Sequence, residues 1–143
     1  MLNIQENIIY DEVIQSMGVY FNPSNESFTS DKNSKIYVDK TGLLEYLNGI
    51  LGTNSRCVAL SHARRFGKSH AAGMIDAYYS LGCDSTKLFE DTKIAKSSDF
   101  KKYMNKYNVI HLDISSFWEF YKDNIVEKIV EYNRKFAGYY NSN

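Results

Sequence analysis

One segment near the middle of the chain, residues 56–69, constrains the fold more than any other. Four apolar residues at 57–60 are bounded by polar residues, which is typical of a short buried strand in a parallel sheet. A basic loop follows, and apolar side chains then recur at helical spacing over residues 69–81. The segment therefore predicts a strand, a tight loop and a helix, with the loop at the head of the helix.

The loop ends in Gly67-Lys68-Ser69, which matches the last three positions of the Walker A phosphate-binding motif G-x-x-x-x-G-K-[ST]. In such a loop Gly67 lets the backbone approach a phosphate, Lys68 reaches the β- and γ-phosphates, and the Ser69 hydroxyl binds Mg²⁺. Backbone N–H groups and the helix dipole at a helix start also attract anions. The position of the first motif glycine holds His62, so a helix that simply begins here is the plain alternative.

Four segments in one order along the chain carry a family resemblance. Residues 61–69 read S-H-A-R-R-F-G-K-S, 37–44 read Y-V-D-K-T-G-L-L, 88–94 read L-F-E-D-T-K-I, and 107–113 read Y-N-V-I-H-L-D. They resemble the R-P-R-R-F-G-K-S loop and the Y-V-D-K-T, L-F-E-G and Y-P-V-I-x-L segments of a family of bacterial and archaeal AAA-like ATPases. Members of that family often carry a C-terminal PD-(D/E)XK nuclease-like domain. The resemblance covers about residues 36–115 and implies the N-terminal portion of an ATPase domain.

The resemblance also bears on the missing glycine and on the residues of the site. The family usually has Arg and Pro where this chain has His62 and Ala63, so it dispenses with the first Walker glycine. For the two loop arginines it favours phosphate contact, or charge compensation for the missing glycine turn, over a solvated basic loop. It also implies ATP and Mg²⁺ as cofactors. We expect the loop aromatic to pack under the loop, and the residue after the serine to offer its backbone N–H. The predicted nucleotide-binding residues are Arg64, Arg65, Phe66, Gly67, Lys68, Ser69 and His70.

A second apolar segment, residues 109–114, predicts another buried strand that contains Asp113 near its end. Ligands of parallel α/β sheets bind at the carboxyl ends of strands, so Asp113 is a candidate Walker B carboxylate. Ser69 and Asp113 are thus the predicted metal ligands. Alternatively Asp113 caps the following turn. The resemblance implies a further strand before Walker B, which would then lie beyond Asn143, and we favour the capping interpretation.

The whole chain predicts an α/β fold, a partial P-loop NTPase-like parallel sheet flanked by helices. Residues 1–35 are predicted as an N-terminal helix and a polar loop, and residues 36–143 as the N-terminal portion of a P-loop ATPase-like domain. The D-K-T at 39–41 could contact the nucleotide, brace the loop or simply start a helix. Further helices are predicted over residues 3–17, 41–51, 98–107 and 116–136.

Charge and composition exclude some functions. The chain of 143 residues has 17 basic and 17 acidic residues, so nucleic acid or an anionic membrane could be bound only through a local basic patch. The cysteines and histidines show no metal-ligand spacing. No apolar run reaches transmembrane length and no signal peptide is visible, so we expect a cytoplasmic protein.

The function predicted from these observations is ATP binding through a variant Walker A loop. No clear Walker B glutamate, sensor or arginine finger is evident, so ATPase activity is expected of a full-length protein and little of this chain alone. The alternative is a non-catalytic module that grips nucleic acid or a protein with the basic loop at residues 64–68, by stacking and charge. A purely structural loop is a third interpretation, and His62 is its best argument. The sequence leaves the oligomeric state open.

Overall fold

The computed structural model describes residues 18–61 and 63–140. The helix predicted over residues 3–17 lies outside them. The chain divides into two compact units, one formed by Phe21–Ile110 and the other including the described residues 18–20 and 111–140. The predicted domain boundary at residue 35 stays a prediction.

The described residues form a mixed α/β chain in which helices predominate. In chain order the elements are β1 (Val19–Phe21), α1 (Glu26–Lys32), α2 (Gly42–Ile50), α3 (Lys68–Tyr79), α4 (Thr86–Phe89), a 3₁₀ helix (Lys93–Lys96), α5 (Phe100–Tyr103), β2 (Ile110–Leu112), α6 (Ile114–Tyr121) and α7 (Ile125–Tyr140).

The two strands form a small antiparallel sheet. The N–H of Asp113 donates to the carbonyl of Gly18 at 2.7 Å, and the N–H of Asn22 donates to the carbonyl of Val109 at 2.8 Å. The α/β class is thus confirmed. A parallel P-loop-like sheet is not formed among the described residues, where parallel pairing outside the strands is limited to one bridge between Ser80 and Tyr107.

The prediction of a strand over residues 57–60 is wrong. The segment is irregular, Val58 and Leu60 are 43% and 51% exposed, and Cys57 is exposed rather than buried. The physical reason is that an apolar run becomes a strand only where a neighbouring strand pairs with its N–H and C=O groups. No described segment supplies that pairing to residues 57–60.

Helix α3 is the centre of the Phe21–Ile110 unit. Most of its residues from Ala71 onward are buried, and its side chains pack into a core shared with α1, α2, α4 and α5. Helix α1 crosses α3 at Gly73, where an added Cβ would lie 2.7 Å from the Ser27 hydroxyl oxygen. The core residues are Phe28, Leu44, Met74, Ala77, Tyr78, Tyr79, Phe89, Ile94, Phe100 and Met104. This packing fixes the helix whose first turn carries the predicted loop.

Three other predicted elements differ in extent from the observed ones. The loop predicted before residue 35 contains α1, because Phe28 is buried and stacks on Phe89 with ring centroids 4.8 Å apart. The helix predicted over residues 98–107 ends at Tyr103, because Asn105 takes a φ of 54° and donates its N–H to the carbonyl of Tyr78 at 2.7 Å. The helix predicted over residues 116–136 is two helices, α6 and α7.

Candidate functional site

The predicted phosphate loop is a tight turn at the N-terminus of α3. Arg65 and Gly67 have φ angles of 67° and 79°, both in the left-handed region. The carbonyl of Gly67 then accepts the N–H of Ala71 at 3.0 Å, and the helix begins at Lys68. A helix therefore follows the loop directly, as the sequence predicts, and it begins at Lys68, one residue earlier than expected.

Two lysine side chains are bound to carbonyl groups of this loop. Lys68 Nζ donates to the Ala63 carbonyl at 3.1 Å, and Lys40 Nζ donates to the Phe66 carbonyl at 2.7 Å. A Cβ added to Gly67 would lie 2.5 Å from Lys40 Nζ, so this ammonium group passes directly over the glycine. The loop thus has two ammonium groups against its backbone, and one of them comes from a distant segment of the chain.

The residues on either side of Lys40 hold it in place. Asp39 Oδ1 accepts from the N–H and hydroxyl of Thr41 at 2.8 and 2.7 Å, and Oδ2 accepts from the Lys93 N–H at 2.8 Å. Burial works to raise the pKa of Asp39, but these hydrogen bonds outweigh it and lower the pKa. Thr41 is fully buried, and its hydroxyl accepts from the Ile94 N–H at 3.2 Å. In the D-K-T segment Asp39 and Thr41 therefore anchor the start of α2, and Lys40 braces the loop.

A pocket of about 320 Å³ lies beside the loop. Arg65, Phe66, Gly67 and His70 line one side of it, and residues of α1 and of the segment before Lys40 line the other. His70 Nδ1 forms an ion pair with Asp31 Oδ1 of α1 when the imidazole is protonated. Sequence reasoning missed Asp31, which no motif includes. The polar face of the short helix α1 is the only sequence signal that could have pointed to it.

The structure brings the predicted site residues together on one turn. Arg64, Arg65, Lys68 and Ser69 are exposed to solvent. Phe66 was expected to pack under the loop, and this is wrong, because its side chain is 58% exposed at the mouth of the pocket. The nucleotide-binding roles of these residues stay predictions.

Asp113, the predicted second metal ligand, caps helix α6. Oδ1 accepts from the N–H and hydroxyl of Ser115 at 3.0 and 2.6 Å and from the Ser116 N–H at 3.4 Å, and Oδ2 accepts from the Ser116 hydroxyl at 2.9 Å. The two serine hydroxyls lower the pKa of the carboxyl group more than any other neighbour. Asp113 belongs to the compact unit that does not contain the loop. Its metal-binding role stays a prediction.

Two classes of feature are not found among the residues that the structure describes. No three His, Cys, Asp or Glu side chains gather into a potential metal site within residues 18–61 and 63–140. Over the same described residues, no helix has both the length and the apolar character needed to cross a bilayer. His62 lies outside the described residues.

By its architecture the chain is a mixed α/β protein that presents a Gly-Lys-Ser turn at the head of its central helix. It belongs to the predicted AAA-ATPase family, whose model matches residues 26–143. No curated protein and no solved structure matches the chain. The match covers the loop, the D-K-T segment and Asp113, in agreement with the resemblance read from the sequence. A C-terminal nuclease-like domain stays a prediction.

Proposed function

We propose that this chain binds a nucleoside triphosphate, ATP with Mg²⁺, through the loop at residues 64–70. The observation that carries the proposal is the match of residues 26–143 to the predicted AAA-ATPase family. The matched segment includes Gly67-Lys68-Ser69, which lies at the start of α3. Family membership supports a nucleotide as the ligand. The helix start supports the location, because its N–H groups and dipole favour a phosphate.

The residues of the loop fit such a ligand. Gly67 has a left-handed backbone conformation and no side chain of its own, so a phosphate could approach the backbone beside the Lys40 ammonium group that lies over this glycine. Lys68 Nζ would exchange its hydrogen bond to the Ala63 carbonyl for a phosphate oxygen, which is a stronger, charge-assisted contact. Ser69 would offer its hydroxyl to Mg²⁺, which otherwise keeps several water ligands. The metal would neutralise part of the phosphate charge.

We propose binding without rapid hydrolysis for this chain, and we assign no catalytic residue. Phosphoryl transfer requires a positioned metal, water and charge together. The candidate carboxylate, Asp113, accepts four hydrogen bonds within its own turn. ATPase activity is a proposal for a full-length protein.

Calorimetric titration with Mg-ATP tests the proposal. We expect Lys68→Ala to weaken binding by at least about tenfold, because a charge-assisted contact to phosphate is lost. Lys101→Ala is the matched control, since Lys101 is an exposed lysine of α5 that lies outside the loop. Equal affinity for wild type and Lys68→Ala, or no binding by either protein, would overturn the assignment.

A second candidate function has one observation in its favour. The exposed Phe66 ring lies in a basic loop with Arg64, Arg65 and Lys68, and an aromatic ring flanked by cations can stack on a base while charges contact the backbone phosphates. Fluorescence anisotropy with single-stranded DNA distinguishes the two functions. Salt-dependent binding that excess ATP does not displace would favour this candidate over the nucleotide site.

A further inference from the structure

Lys40 reaches the Gly-Lys-Ser loop from a distant segment of the chain. Its Nζ donates to the Phe66 carbonyl at 2.7 Å, across a separation of 26 positions. A Cβ added to Gly67 would lie 2.5 Å from this nitrogen and 3.5 Å from Cδ2 of His70, which is in the first turn of α3. The Lys40 ammonium group is therefore next to the backbone at the helix start, where a phosphate would approach.

The backbone on both sides of Lys40 is anchored. Asp39 Oδ1 accepts from the N–H and the hydroxyl of Thr41, Asp39 Oδ2 accepts from the Lys93 N–H, and Thr41 is fully buried. A group that is held in place before a ligand arrives loses less conformational entropy when the ligand binds. Lys40 is thus better positioned to contact a ligand than an exposed lysine on an unsupported segment.

The charge of Lys40 has no carboxylate partner among the described residues. Both carboxylate oxygens of Asp39 accept hydrogen bonds from other groups, and Asp31, which also lines the pocket, pairs with His70. Within residues 18–61 and 63–140, the Lys40 ammonium group has one acceptor, the neutral Phe66 carbonyl. An ammonium group has three N–H donors. Lys40 therefore retains both a positive charge and donors for an anionic ligand.

We propose that Lys40 is a second phosphate-binding lysine, which contacts the polyphosphate chain of the ligand from outside the Walker A motif. The inference rests on the proposed function, in which Lys68 is the phosphate-binding lysine of the motif itself. Residues 61–70 include basic side chains and no Asp or Glu, so the loop adds no negative charge of its own beside Lys40. The part of the ligand that Lys40 recognises is the phosphate chain and not the base.

The hydrogen bond to Phe66 and a contact to phosphate are compatible. One N–H of the ammonium group is used by the carbonyl, and the others remain for phosphate oxygens. The cation also offsets the partial negative charge of that carbonyl oxygen, which would otherwise disfavour an anion nearby. Since a contact from an ammonium group to a phosphate is charge-assisted, it is stronger than the bond to the neutral carbonyl.

Calorimetry with two ligands tests this role, and the ligands are the Mg complexes of ATP and of inorganic tripolyphosphate. We expect Lys40→Met to lower the affinity for both ligands about tenfold, because one charge-assisted contact is lost. We expect Lys40→Arg to recover most of the affinity, because arginine keeps the charge and the N–H donors. Lys101→Met is the matched control, since Lys101 is an exposed lysine of α5 that lies outside the loop.

A salt series separates a contact to phosphate from a purely structural role. Lys40 is exposed, so salt screens its attraction to an anion. We expect the difference in affinity between wild type and Lys40→Met to shrink as NaCl is raised from about 0.05 to about 0.5 M. A difference that stays constant over this range would mean that Lys40 only braces the Phe66 carbonyl, and would overturn the inference. Urea denaturation without ligand checks that Lys40→Met is folded.

The outcomes distinguish failure of this inference from failure of the proposed function. If Lys68→Ala weakens binding of tripolyphosphate and Lys40→Met does not, the proposed function stands and the role of Lys40 is overturned. If Lys40→Met binds more tightly than wild type, the ammonium group competes with the ligand, which also overturns it. If wild type binds neither ATP nor tripolyphosphate, the proposed function fails and the role of Lys40 fails with it.

Discussion

Arg65 combines a charge with an unfavourable backbone conformation. Its φ of 67° costs a residue with a Cβ roughly 1–2 kcal/mol, whereas glycine takes this conformation freely. Arg65→Gly therefore removes the guanidinium group without straining the loop. We expect urea denaturation to show a stability equal to wild type or about 1 kcal/mol higher. We expect calorimetry to show weaker Mg-ATP binding, because the proposed contact of Arg65 to phosphate would be lost.

Arg65→Lys is the control for this prediction, because it keeps both the charge and the Cβ. If the Mg-ATP affinity falls in Arg65→Gly and equals that of wild type in Arg65→Lys, the effect is due to the charge of the side chain. Unchanged affinity in Arg65→Gly would remove Arg65 from the binding site and leave it as a solvated loop residue.

At the scale of the elements, a buried polar contact joins α2 to α3. The Asn48 amide is 4% exposed, its Nδ2 donates to the Tyr78 hydroxyl at 3.1 Å, and its Oδ1 accepts from the Tyr79 hydroxyl at 2.7 Å. The Tyr78 hydroxyl itself donates to the Phe100 carbonyl at 2.8 Å, so it stays satisfied without Asn48. Tyr79 depends on Asn48, and burial strongly raises its pKa.

We expect Asn48→Leu to lower the free energy of unfolding by about 2 kcal/mol, because the buried Tyr79 hydroxyl loses its acceptor. Urea denaturation measures the change. The double variant Asn48→Leu/Tyr79→Phe removes the stranded hydroxyl as well, so we expect it to be more stable than Asn48→Leu alone. A double variant that loses the sum of the two single effects would contradict this account.

The elements also show which parts of the fold the sequence could predict. The periodic apolar positions of α3 and the Gly-Lys-Ser turn before it define a helix and its start, and the structure has both. Local signals could not predict the end of α5, because Asn105 is held by tertiary bonds to Tyr78, Ser80 and Ala77. Residues 57–60 look like a strand, but strand formation depends on a partner that no local pattern specifies.

At the scale of the whole chain, one part of the candidate site could be predicted from the sequence and another part could not. The phosphate loop is contiguous in sequence, so a motif finds it. The pocket beside it is assembled from α1, the segment before Lys40 and the first turn of α3, and Asp31 and His70 are 39 positions apart. Such a site follows from the packing of α1 across Gly73, which composition and spacing do not reveal.

The pH response of Asp113 identifies whether its carboxylate acts as a helix cap. The carboxyl group has a pKa below the ordinary value of 3.8, because the hydroxyls of Ser115 and Ser116 donate to the charged form. Its stabilisation is therefore complete above about pH 3.8 and is lost as the pH falls through the lower pKa of the folded state. We expect Asp113→Ala to lower the free energy of unfolding by about 1 kcal/mol at pH 7, as the loss of a helix N-cap does, and the difference from wild type to shrink under acid.

We also expect Asp113→Ala to leave the Mg-ATP affinity unchanged at pH 7, because the carboxylate already accepts the hydrogen bonds of its cap. Ser116→Ala, which removes one donor and keeps the carboxylate, should show a smaller loss of stability and the same affinity. A fall in Mg-ATP affinity specific to Asp113→Ala, and absent when Mg²⁺ is omitted, would instead establish Asp113 as a metal ligand.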